Sequence, residues 1–203
     1  KAEIYGKLGR TDGAYSIYKS IIQNFSDQTK WADVAVEKSL SYILKGMQNK
    51  SLEERIHVLR EISENNHIKY PLLAAGALNR AGDLYFSDDN WARAQEVYSL
   101  VLEKYPFLPV QSAAARFSLA EILYREEQFR MALNLYENEI KVRPINDNIY
   151  KLAREGYSRK SISSGEYLFR LGEIQASMSR FRELIDYDYT IIEAHRGYIK
   201  CAA

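Results

Sequence analysis

The sequence predicts an all-α fold, a superhelical array of antiparallel helical hairpins stacked side by side. Three observations predict it. Only four prolines and ten glycines occur in 203 residues, which favours long helices over loop-rich β structure. Apolar residues recur at helical spacing in pairs of short stripes separated by polar turns. One such pair, Leu78 to Pro106, returns downstream at an offset of 38 residues.

In Leu78–Pro106 the first stripe is Leu78, Ala81, Gly82 and Tyr85. Ser87-Asp88-Asp89-Asn90 interrupts it and supplies capping side chains for a new helix. Trp91, Ala94, Tyr98 and Val101 form the second stripe, closed by Pro106. Two amphipathic helices around a tight polar turn make an αα-hairpin. Gly82 and Ala94 allow close approach, and Tyr85 and Tyr98 fill the flanking space.

The other copies follow the same grammar. Tyr5, then Ala14, Tyr18 and Ile21 give an N-terminal copy with a short first helix. The weakest copy runs from Trp31 to Pro71. Trp31, Val34, Ala35, Lys38, Tyr42 and Ile43 read as one helix, and Leu52, Ile56, Leu59 and Ile62 as its partner across a Lys45–Ser51 turn. Leu119, Ala120, Leu123 and Tyr124 precede the turn Arg125–Gln128, and Phe129, Ala132, Tyr136 and Pro144 repeat Trp91, Ala94, Tyr98 and Pro106. Gly172, Ile174, Ser177, Phe181 and Leu184 give a further copy, and Ala194, Tyr198 and Cys201 begin another first helix. The expected hairpins are 1–29, 31–71, 75–108, 113–146 and 148–191, with 192–203 opening the next, in one continuous array over 1–203. Both ends read as cut from a longer chain, and no basic-then-apolar leader precedes Lys1.

These positions resemble tetratricopeptide repeats, with their small–small–aromatic–small–aromatic–proline pattern. The departure is the period. The large residue of the second helix falls at Tyr18, Leu59, Tyr98, Tyr136 and Phe181, giving spacings of 41, 39, 38 and 45, against about 34 in the consensus. The excess is expected in longer helices or in loops such as Phe107–Ser112. The ending Lys104-Tyr105-Pro106 resembles tetratricopeptide proteins of the bacterial envelope, which implies periplasm or envelope ahead of cytoplasm.

Composition excludes several functions. With 28 Lys and Arg against 27 Asp and Glu, the net charge of +1 argues against nucleic-acid and anionic-membrane surfaces. No run of 18 apolar residues is present, so no membrane span is expected. His57, His67 and His195 lack metal-ligand spacing. His57 and His67 read as solvated, and His195 as packed. Cys201 on an apolar helix reads as a structural thiol. No phosphate-binding glycine loop or nucleophile elbow occurs. Asp88-Asp89 and Glu126-Glu127 read as N-terminal helix caps, and Asn24-Phe-Ser26 and Asn49-Lys-Ser51 match the glycosylation sequon. No catalytic, cofactor or metal residue is assigned, and a non-enzyme is expected.

Stacked hairpins leave a long concave groove lined by first helices, a surface suited to recognition. The leading expectation is a protein-interaction scaffold holding a peptide or partner segment. A regulatory or substrate-recognition region of a larger enzyme is the second reading, and a module whose open ends self-associate is the third. In tetratricopeptide domains that bind chaperone tails, cations on the first helices clamp a terminal carboxylate. The resemblance carries those positions onto Asn79, Asp83 and Phe86, and onto Phe117, Glu121 and Tyr124. Two acids replace the cations, so chaperone tails are expected to be repelled and an apolar, basic segment preferred.

Overall fold

The computed structural model describes residues 1–24 and 29–203. The sequon Asn24-Phe-Ser26 runs into residues 25–28, outside the described residues. Helices α1 (Ala2–Lys7), α2 (Thr11–Asn24), α3 (Thr29–Gly46), α4 (Leu52–Asn66), α5 (Pro71–Ser87), α6 (Trp91–Lys104) and α7 (Pro109–Arg125) run through the first part of the chain. They are followed by α8 (Phe129–Val142), α9 (Asn148–Arg170), α10 (Ile174–Tyr187) and α11 (Ile192–Ala202), and no strand occurs among the described residues. The chain divides within α7 into two compact units, Lys1–Ser118 and Leu119–Ala203. In the first, α1 packs on α2, α2 on α3, α4 on α5 and α5 on α6, with α3 beside α5. In the second, α8 packs on α9, α9 on α10 and α10 on α11, with α9 beside α11.

One turn geometry builds four of the hairpins. Gly9, Asp89, Glu127 and Gly172 all have positive φ, between 56° and 80°. The amide after each closes back on the preceding helix: Arg10 N to Tyr5 O, Asn90 N to Tyr85 O, Gln128 N to Leu123 O and Glu173 N to Leu168 O. That bond, with a left-handed residue before it, is the Schellman ending of an α-helix. Five residues later come Ala14, Ala94, Ala132 and Ser177, all fully buried, and nine residues later Tyr18, Tyr98, Tyr136 and Phe181. The Asp88-Asp89 and Glu126-Glu127 pairs therefore serve the end of a first helix. The cap of α6 is Asn90, whose Oδ1 accepts from Arg93 N at 3.4 Å.

The weak copy is built differently. Between α3 and α4, Ser51 makes a capping box: its Oγ accepts from Glu54 N at 3.2 Å, and Glu54 Oε2 accepts from Ser51 N at 2.9 Å. Its first stripe is also rotated from the expected one. Trp31 and Val34 are 62% and 45% exposed, while Ala32, Val36 and Leu40 carry the core alongside Ala35. Trp31 faces solvent because bulk alone does not set which helix face is covered.

Extra length sits in the first helices. The second helices α2, α6, α8 and α10 are each 14 residues long, whereas α3, α5 and α7 have 18, 17 and 17 and α9 has 23. Of Phe107–Ser112 only Phe107 and Leu108 lie outside a helix, because α7 opens at Pro109, where a missing N–H costs nothing.

Aromatics of the second helices rest on small residues of the first. A side-chain carbon on Gly82 would stand 2.5 Å from Tyr98 Cε1, and one on Gly165 2.7 Å from Phe181 Cζ. Gly156 sits likewise under Tyr136, and Gly197 under Phe181. Each large ring is thus held in a notch that only glycine leaves open.

Candidate protein-interaction surfaces

In the first unit, Asn79 is buried and its Nδ2 donates to Gln111 O at 3.0 Å and Oε1 at 3.3 Å, tying α5 to α7. Asp83 is half-buried. Its Oδ1 accepts from the Tyr98 hydroxyl at 2.8 Å and its Oδ2 from Arg80 Nη1 at 3.4 Å. Arg80 Nη2 reaches on to Glu37 Oε2 on α3, at 2.9 Å. Phe86 and Phe117 are half-buried.

In the second unit, Lys160 of α9 lies beside Glu121 and Tyr124. Its Nζ is 2.6 Å from Glu121 Oε2 and 4.1 Å from the Tyr124 ring centroid. Arg125 Nε adds a contact to Glu121 at 3.6 Å. Tyr124 packs on Phe129 at 5.0 Å between centroids, and Phe129 on Tyr167 at 5.5 Å. The Tyr167 hydroxyl donates to Glu127. Burial pushes the Tyr124 phenol above its ordinary range, and a hydrogen bond to Ser163 opposes this.

Both acids therefore have cationic neighbours. Arg80 lies three residues before Asp83 on the same helix, but Lys160 arrives from α9, a pairing no local spacing reveals. The six candidates fall in different units: Asn79, Asp83, Phe86 and Phe117 in the first, Glu121 and Tyr124 in the second.

Two clefts lay beyond sequence reasoning. One, of about 270 Å³, is walled by Ile22, Tyr70, Leu72, Leu108 and Val110, with Asp33 among its lining residues. The other, of about 470 Å³, lies between α9 and α11, with Phe169 and Phe181 flanked by Arg170, Arg196 and Lys200. The Tyr70-Pro71 and Leu108-Pro109 steps were the available signal for the first, since a residue before proline is held extended.

His195 is exposed rather than packed, and its Nε2 lies 2.8 Å from Tyr189 O, because α11 turns that face to solvent. His57 and His67 are exposed, and Cys201 is half-buried with Sγ 3.2 Å from Ser177 Oγ. Among the described residues, no cluster of His, Cys, Asp and Glu is arranged to hold a metal ion. No helix among them is long and apolar enough to cross a membrane.

Successive antiparallel helices joined by a repeated Schellman turn define a helical repeat protein. The tetratricopeptide repeat family model matches residues 1–27 and 77–107, and the chain is a helical repeat protein. No curated protein matches the chain. Tetratricopeptide repeats generally mediate protein–protein interaction, and their fold is typically a non-catalytic scaffold.

Proposed function

We propose that this chain is a non-catalytic module that binds a segment of a partner protein along the first helices of its hairpins. The observation that carries the reading is the cluster of Tyr124, Phe129 and Tyr167 around Lys160 and Glu121. There, three rings and a matched ion pair share one partly exposed surface. In the first unit, the half-buried rings of Phe86 and Phe117 offer similar aromatic chemistry by themselves. Rings of this kind give contact area at low entropic cost, and neighbouring charges orient what lies on them. Because Asp83 and Glu121 are already paired, the specificity comes from the aromatic faces more than from net negative charge.

The test is a peptide array probed with the wild-type chain and with Phe86→Ala and Tyr124→Ala. Retained peptides should weaken about tenfold or more with at least one variant, the scale of a buried aromatic anchor. Unchanged retention of every peptide by both variants would remove these surfaces from the interaction.

A further inference from the structure

A groove runs between α9 and α11 in the second unit. One end of it is the cleft of about 470 Å³ lined by Phe169 and Phe181. Two further hollows, of about 640 and 360 Å³, continue it toward the start of α9, sharing Glu193 and then Ile191 with their neighbours. The lining stretch of α9 runs from Lys151 to Arg170, about 28 Å at the usual helical rise. An extended segment of about eight residues spans that length. Gly165 of α9 and Gly197 of α11 both press on the Phe181 ring, which fixes the floor before anything binds.

Charge is unevenly placed around this groove. Elsewhere in the second unit cations are matched: Arg130 with Glu183, Lys141 with Glu137, Arg143 with Glu139 and Lys160 with Glu121. Lys151, Arg159, Arg170, Arg182, Arg196 and Lys200 form no ion pair among the described residues, and all but Arg182 line the groove. Those five side chains are exposed, so their charged heads are open to a ligand. Lys200 Nζ stands 4.6 Å from the Phe169 ring centroid, which brings its charge over the aromatic floor.

Acids share the lining. Arg154 and Asp188 pair with each other and cancel. Glu155, Glu166 and Glu193 remain, exposed and without an ion pair among the described residues. Five open cations against these three acids leave the groove positive. The order along α9 is Lys151, Glu155, Arg159, Glu166, Arg170, so the signs alternate. An alternating row repels a continuous polyanion such as a nucleic-acid backbone and accepts a chain whose carboxylates are spaced. The aromatic floor takes an apolar side chain between them.

We infer that the α9–α11 groove docks an acidic segment of a partner protein. Spaced aspartates or glutamates of that segment lie against Arg159, Arg170, Arg196 and Lys200, and an apolar side chain rests on the Phe169 ring. That the ligand is a protein segment rests on the reading above; the groove it occupies and its acidic character do not.

The experiment titrates the full chain, by fluorescence anisotropy, into ten-residue peptides that carry one central leucine or phenylalanine and four spaced glutamates. Matched peptides carry lysine at the same four positions. The glutamate set should bind at least fivefold more tightly. Arg196→Gln with Lys200→Gln, on α11, should reduce that preference to less than twofold, and so should Arg159→Gln with Arg170→Gln, on α9. The two pairs sit on different helices, so either decides the matter if circular dichroism shows the other misfolded. Arg182→Gln removes an exposed cation outside the groove and should leave the preference at its wild-type value. Equal binding of the two sets by the wild-type chain overturns the proposal, as does a preference that survives both pairs or falls as far with Arg182→Gln. Tighter binding of a mixed-sequence single-stranded RNA than of the glutamate set also overturns it. If Tyr124→Ala weakens both sets while the arginine and lysine variants change neither, the α9–α11 groove falls and the reading above stands. If no peptide binds, both fall.

Discussion

The hydroxyl of Tyr98 donates to Oδ1 of Asp83 at 2.8 Å, joining the second helix of a hairpin to the first. The same tyrosine's ring fills the notch above Gly82, so one side chain both packs and tethers the α5–α6 crossing. Burial and the Asp83 carboxylate push its phenol far above the ordinary range, so it stays a donor at any ordinary pH.

Gly82→Ala should test the notch. In an open helix the change would stabilise by about 1 kcal/mol, but the new carbon would stand 2.5 Å from Tyr98 Cε1. Overpacking of about 1–3 kcal/mol should reverse the sign. Ala94→Leu and Ala132→Leu, at fully buried crossings, should cost a similar amount. Urea denaturation reads each change, and a Gly82→Ala midpoint above wild type would refute the close contact.

Asp89→Gly should stabilise. Asp89 is exposed and holds φ at 56°, a left-handed conformation that glycine enters without the clash a side-chain carbon brings. The gain should be a few tenths to about 1 kcal/mol, because glycine also loosens the unfolded chain. A lower thermal midpoint than wild type would show that the Asp89 side chain contributes more than its backbone strain costs.

Arg143→Met should destabilise by up to about 3 kcal/mol, since the buried Glu139 carboxylate would lose one of its partners. Glu139 is 2% exposed, and Arg143 Nε donates to its Oε2 at 2.8 Å. Glu139→Gln in the Arg143→Met background should recover part of the loss. No recovery in a double-mutant cycle would assign the cost to lost packing of the arginine stem.

Asp188 and Asp33 should give opposite dependences on pH. Hydrogen bonds from the Thr190 side chain and from Arg154 hold the Asp188 carboxyl down to about 2. A lowered acid stabilises the fold above its ordinary range near 3.8, and that contribution fades as pH falls toward about 2. Burial pushes Asp33 up, with Glu37 adding to it against the Gln111 bond. In the window above 3.8 the folded chain then keeps a proton that the unfolded chain has released, so stability falls as pH rises through it. Asp188→Asn should therefore destabilise at pH 7 and match wild type near pH 2, whereas Asp33→Asn should stabilise at pH 7. Urea midpoints across pH 2–7 check both, and parallel curves for all three proteins would rule the assignments out.

The hairpin repeat was legible in the chain because its determinants are local. Small residues at Gly82, Ala94, Ala120 and Ala132 and the rings of Tyr85, Tyr98 and Tyr136 occur at helical spacing, and turn residues punctuate them. Helix formation and stripe burial need little more. Where the local signal was thin, as at Trp31 and Val34, the stripe was misread, because a neighbouring helix decides which face is covered. The surfaces depended on tertiary structure for the same reason. Glu121 meets Lys160 across 39 residues of chain and Arg80 meets Glu37 across 43, and long flexible cations reach partners that no sequence spacing encodes. The Asp33 cleft needs α2, α3 and the connections into α5 and α7 packed together before it exists. The sequence by itself thus determined the helices, their pairing and the small-on-large crossings, while packing between hairpins decided which charges are matched and where a cleft remains open.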